Sequence, residues 1–286
     1  MIARAAQGPH KRAETFKGAV VIKLSISKAW DETRQVLARD GSLLTTIALA
    51  LFVLPGVVSD VVTPAAPAGQ LPSMGYWSVL TAIALLIALA GQLAVIRLAI
   101  GSRLTVGEAI RHGARRAPAY LAATLMWVLP FVIVVVLLAG KVVGQLQTAS
   151  PAAALALFML GCVVLFLAIR MMMTSPVASA EPVGPIAILQ RSWELTRGHW
   201  LRLFGFFLLF VIGAVIAVTA VSAVSGILAQ LIFGGVEPLT VGALFVALII
   251  QIVSAAVSVL LVVMLARIYV QLGGEGAAVS VPTNGS

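Results

Sequence analysis

Runs without charge organise this chain more than any other feature. They cover residues 43–58 (extendable to 62 across Asp60), 71–96, 117–140, 142–169, 203–236 and 238–266. A helix rises about 1.5 Å per residue, so about 20 apolar residues cross a hydrocarbon core about 30 Å thick. Soluble domains do not offer an alternative home for such runs. Of the residues here 61% are apolar and 10% are charged, and mean hydropathy is +1.09, whereas a soluble domain is about 25% charged. The expected class is therefore all-α, a polytopic integral membrane protein with six transmembrane helices. No room is left between the spans for a soluble domain. The first span is the shortest and carries Pro55.

Direction follows from the basic residues, which are retained on the cytoplasmic side. Arg4, Lys11, Arg12, Lys17, Lys23, Lys28, Arg34 and Arg39 precede the first span. Arg97, Arg103, Arg111, Arg115 and Arg116 lie between spans two and three. Arg170, Arg191, Arg197 and Arg202 lie between spans four and five, and Arg267 closes span six. With six spans only Lys141 falls on the other side, which predicts both termini in the cytoplasm. The same sorting accounts for the net charge of +9 without nucleic acid as a partner. Cys162 sits inside an apolar run and has no second cysteine to pair with. The basic first 25 residues and the short "GAVVI" predict no cleavable signal peptide.

The segments on the basic side resemble one another. They read "SISKAWDETRQVLARDGSLLTTIAL", "TVGEAIRHGARRAPAYLAATLMWVL" and "GPIAILQRSWELTRGHWLRLFGFFLL". Each predicts an interfacial amphipathic helix followed by a helical hairpin, in repeat units of about 25–101, 102–178 and 183–272. Together these form a membrane domain over 25–272, between a basic cytoplasmic tail at 1–24 and a disordered cytoplasmic tail at 273–286. Thr105 with Glu108 forms a capping box, Pro185 suits a first helical position, and Ser27 before Asp31 and Glu32 is the expected N-cap of the first helix. The expected apolar faces are Ile26, Trp30, Thr33 and Leu37; Val106, Ala109, Ile110 and Gly113; and Ile186, Leu189, Trp193, Thr196 and Trp200.

Each even-numbered span ends in an arginine followed by further apolar residues, at Arg97, Arg170 and Arg267. An arginine at mid-bilayer costs roughly 2.5–3.5 kcal/mol on insertion scales, and less near the interface where the side chain snorkels. These three, with Arg191, Arg197, His199 and Arg202, are candidate contacts for lipid headgroups or other anions. Orientation-setting anchors are the simpler reading of the same residues. Trp30, Trp193 and Trp200 read as interfacial anchors. Glu194, three residues from both Arg191 and Arg197, reads as part of a surface ion network.

The third-unit motif, supported by "ISKAWDETRQVLARDGSLL", "TVGEAIRHGARRAPAYLAA" and "ARIYVQL", resembles the membrane domain of bacterial glycerophosphoryl diester phosphodiesterases over roughly residues 24–272. That resemblance implies a multi-span inner-membrane protein. The catalytic partner fused to such domains is a metal-dependent barrel with paired histidines and carboxylates. Here His10, His112 and His199 lie apart, and no cluster has metal-ligand spacing. The expectation is thus a stand-alone membrane domain with no catalytic residues, metal or cofactor.

Function is expected to be non-enzymatic: contact with membrane lipids, anionic headgroups on the cytoplasmic face foremost, or support of membrane and envelope processes. The alternative is a transporter or permease-like subunit for a small amphiphilic or anionic solute. Against it, the spans carry only Gln92, Gln230 and Gln251 as notable polar groups, where coupled transport uses buried charge. Small-residue spacings at Gly140–Gly144 and Ser222–Gly226 suit close helix packing and leave self-association open. Protein partners, cargo and physiological process are not encoded legibly.

Overall fold

The computed structural model describes residues 24–62, 75–101, 104–142, 151–234 and 240–273. The readings made for residues 1–23 and 274–286, and for Gly144, fall outside them. Every regular element among the described residues is helical. These are α1 (Ile26–Ala48), α2 (Leu54–Val62), α3 (Tyr76–Ala99), α4 (Val106–Val142), α5 (Pro151–Arg170), α6 (Thr174–Ala180), α7 (Pro185–Thr196), α8 (Trp200–Phe233) and α9 (Val241–Gly273). Six helical segments are long and apolar enough to cross a membrane, so this is a multi-pass membrane protein.

The first two units differ from the expected helix-then-hairpin plan. No break separates the amphipathic segment from the span. α1 passes through a π-helical turn at Leu49–Val53 directly into α2. Pro55 supplies the reason for that turn: it has no N–H to give the Leu51 carbonyl, and its ring crowds that oxygen. The Leu54 N–H reaches back to the Leu49 carbonyl instead, widening the helix by one residue. α4 likewise runs unbroken through Pro118 and Pro130. Only the third unit divides, where Gly198 takes φ +84° between α7 and α8.

Helix starts correct one expectation and meet two. Ser25, not Ser27, caps α1, its side chain accepting from the Lys28 N–H at 3.2 Å. Thr105 and Glu108 close the capping box at 2.8 and 3.4 Å, and α7 begins at Pro185.

The protein core lies at one end of the bundle. Leu93–Ala99 of α3, apart from Arg97, and Val262–Ala266, Ile268 and Tyr269 of α9 are buried. Around these two helix ends pack α1 against α9, α4 against α3, and α7 against the end of α5. Short α6, which the sequence reading passed over, is buried from Thr174 to Ser179 among α3, α4 and α7. Its polar atoms are satisfied locally. Ser179 donates to the Leu93 carbonyl at 2.8 Å and Thr174 to the Met171 carbonyl at 2.7 Å. Toward the far end the helices expose their apolar side chains, among them Leu209, Ile216 and Leu231 of α8, as membrane-facing surfaces do.

Candidate functional site

The amphipathic faces set which side chains reach the basic end. On α1 the buried stripe is Ala29, Thr33, Val36, Leu44 and Ile47, so Trp30 stands at its outward edge, 41% exposed. On α7 the protein-facing residues are Ile188, Ser192, Leu195 and Thr196. The face predicted from sequence is divided, with Thr196 buried, Leu189 and Trp200 packed against the core, and Ile186 and Trp193 exposed. In the first unit Thr33 of the predicted face is likewise buried, and in the second Ala109 and Gly113 are, Gly113 lying against α3. A helix with one face on protein and its next face apolar and exposed suits an interface between protein, lipid and water.

The three span-end arginines occupy matching sequence positions and different surroundings. Arg97 lies partly buried in the last turn of α3. Arg267 donates from Nε to the Glu32 carboxylate at 2.8 Å and from Nη1 to the Ala99 carbonyl at 3.2 Å, joining α9, α1 and α3. Arg170 ends α5 with its guanidinium 4.7 Å from the Trp193 ring centre and 5.4 Å from that of Phe166. Cation–π contacts of this range are attractive because the ring face carries negative potential. Its Nε and Nη1 are buried and meet no acceptor among the described residues, while its carbonyl accepts from Ser192 at 2.8 Å and Thr196 at 3.3 Å.

An aromatic wall continues from there. The Trp200 ring lies 5.6 Å from Phe166 and stacks on Phe204 at 5.2 Å, and its indole N–H points to the Phe166 carbonyl at 3.4 Å. Phe166 was missed in the sequence, although its position four residues before Arg170 places both on one helix face. An open groove beside the wall is lined by Met171, Leu189, Gln190, Trp193, Glu194 and Arg197.

The remaining predicted contacts divide among other tasks. Arg191 bridges Glu181 at 3.3 Å and Glu194 at 3.4 Å. Burial pulls its pKa down, but the two carboxylates outweigh this and hold it above the ordinary arginine value. Glu181 also accepts from the Tyr269 hydroxyl at 2.8 Å. The expected ion network at Glu194 thus forms through Arg191. Arg197 caps the C-terminus of α7 and faces the groove. His199 is the N-cap residue of α8, its Nδ1 buried with no partner among the described residues, and Arg202 donates to the Leu24 carbonyl at 3.4 Å.

Two residues not singled out by sequence hold α6 in place. Arg116 donates to the carbonyls of Ala178, Glu181 and Val183, and the His112 ring nitrogen lies 2.8 Å from the Ser179 carbonyl. A cation at a helix C-terminus meets the partial negative charge of its free carbonyls. No spacing in the sequence announces this clamp. Among the described residues no group of three or more His, Cys, Asp and Glu side chains is placed to hold a metal ion.

A family model described as a domain of unknown function, DUF7847, matches residues 24–272, and the chain belongs to that family. No curated protein and no solved structure matches the chain.

Proposed function

We infer that this DUF7847 member is a non-enzymatic protein of the bacterial inner membrane that binds anionic lipid headgroups at the cytoplasmic face, in support of membrane or envelope processes. Both termini are cytoplasmic in this reading, the chain is built of three repeats, and its kinship is with the phosphodiesterase membrane domains it resembles. The observation that carries the reading is the concentration of cations at one end of an otherwise apolar bundle. Hydrogen bonds tie the start of α8 to Leu24 beside the start of α1, the start of α1 to the end of α9, α4 to α6, and α9 to the end of α3, bringing Arg116, Arg191, Arg202 and Arg267 into one region. The cytoplasmic leaflet is the anionic one, and a basic residue near it contributes about 1 kcal/mol of attraction.

Binding fits better than catalysis because three acids of this region, Glu32, Glu181 and Glu194, are already engaged. Glu32 holds Arg267, Glu181 holds Arg191 and Tyr269, and Glu194 holds Arg191. An acid fixed in an ion pair is poorly placed to take a proton from a substrate. The test is the lipid that stays with the protein through purification, identified by mass spectrometry. Enrichment of phosphatidylglycerol or cardiolipin over the bulk membrane is expected. A copurified mixture with the bulk composition would remove the reading.

A further inference from the structure

We propose that Arg170, with Trp193, Gln190 and Arg197, forms a discrete site for the phosphate of one anionic membrane phospholipid. The proposal rests on the headgroup-binding reading and gives it an address.

The argument starts from what the guanidinium has and lacks. Aromatic rings contact the guanidinium carbon region of Arg170 at 4.7 and 5.4 Å. Rings offer no lone pairs to N–H donors, which lie in the guanidinium plane and call for oxygen at its edge. Nε and Nη1 are buried with no such oxygen among the described residues. Neighbouring arginines are provided for differently: Arg267 has Glu32 and the Ala99 carbonyl, Arg191 has Glu181 and Glu194, and Arg116 has three carbonyls. Arg170 is partly buried, and its two shielded nitrogens lose water without gaining an acceptor, a cost that an arriving anion would offset.

Position defines the visitor. Arg170 is the last residue of an apolar spanning helix, so the surroundings at its level are the headgroup layer. Two oxygens of a phosphodiester match the in-plane donor pair of a guanidinium. Trp193 belongs both to the stack on Arg170 and to the adjoining groove, where Gln190 and Arg197 supply further donors. Glu194 is the acid in that groove, and Arg191 neutralises it at 3.4 Å. Below the site, α5 exposes Phe158, Met159 and Val163, a surface on which acyl chains can lie.

Native mass spectrometry of the full chain from phosphatidylcholine nanodiscs doped with phosphatidylglycerol tests this. Wild type should retain one phosphatidylglycerol selectively, and Arg170→Gln should weaken that retention about tenfold, as loss of charge-assisted hydrogen bonds does. Arg34→Gln, the same charge change on an exposed turn of α1, should leave retention within about twofold. Arg170→Lys should fall between, since it keeps the charge and loses the planar pair of donors. If Arg170→Gln fails to insert, the double variant Gln190→Leu, Arg197→Gln should still lose retention several-fold. Equal retention by the Arg170 variants, or by the double variant in their place, overturns the site while leaving a diffuse headgroup preference intact. Wild type without any anionic preference overturns the broader reading as well. Competition by millimolar inorganic phosphate would reassign the site to a soluble anion and overturn its lipid assignment.

Discussion

Arg267 joins three helices because its nitrogens reach both the Glu32 carboxylate and the Ala99 carbonyl. Glu32 also has Lys28 nearby, but at 3.9 Å with the lysine side chain 69% exposed. Desolvation separates the two pairs. Glu32→Gln should destabilise the protein by about 1–3 kcal/mol by leaving a partly buried guanidinium short of its counter-charge. Lys28→Ala should cost less than about 1 kcal/mol, as exposed ion pairs generally do. Unfolding of the purified variants in mixed micelles measures both, and equal losses would contradict the account. Which arginine finds which partner was not legible in the sequence. Arg97, Arg170 and Arg267 share a local pattern, yet the partners of Arg267 come from helices distant in the chain. Glu32 stands 235 positions from Arg267.

Helices α3 and α4 approach closely where the second unit has small residues. A Cβ added to Gly113 would overlap the Ala90 carbonyl, whereas one added to Gly41 in α1 would meet open space. Gly113→Val should therefore cost about 1–3 kcal/mol by forcing the helices apart. Gly41→Ala should stabilise by about 0.5–1 kcal/mol through the reduced entropy of the unfolded chain. The same unfolding measurement separates them, and a Gly113→Val protein as stable as wild type would refute the packing described. Gly41 also shows why the helix boundaries of the first unit were misread. Continuing the helix through it puts Leu44 and Ile47 on the stripe begun by Ala29, Thr33 and Val36, and that burial outweighs the local cost of glycine. Gly198 takes the left-handed conformation and ends its helix. Nothing in the immediate sequence distinguishes the two glycines, because packing decides. The uncharged "TSPVASA" of α6 hid for a related reason: its burial depends on Arg116 and His112 from another segment.

Membrane class and number of spans were legible because the bilayer imposes a length and a polarity on every crossing. The amphipathic segments were legible as segments, but each predicted face is only partly the one turned to protein: Thr33, Ala109, Gly113 and Thr196 are buried, whereas Trp30, Ile186 and Trp193 are not. That choice depends on neighbours contributed by other units. Each unit begins against the helix end of another: α4 on α3, α7 on α5, and α1 on α9, which would close three repeats into a ring. Such a ring places residues 26–40, 106–116 and 185–202 on one bank of the membrane, with Thr240 and the C-terminal end of α4 on the other. Labelling single cysteines by a membrane-impermeant maleimide, in a Cys162→Ser background and in intact cells before and after permeabilisation, tests the arrangement directly. Cysteines replacing Ser27, Arg115 and Gln190 should react only after permeabilisation, and one replacing Thr240 should react before. Labelling of Arg115→Cys and Gln190→Cys from opposite sides would contradict the shared basic face on which the headgroup site depends.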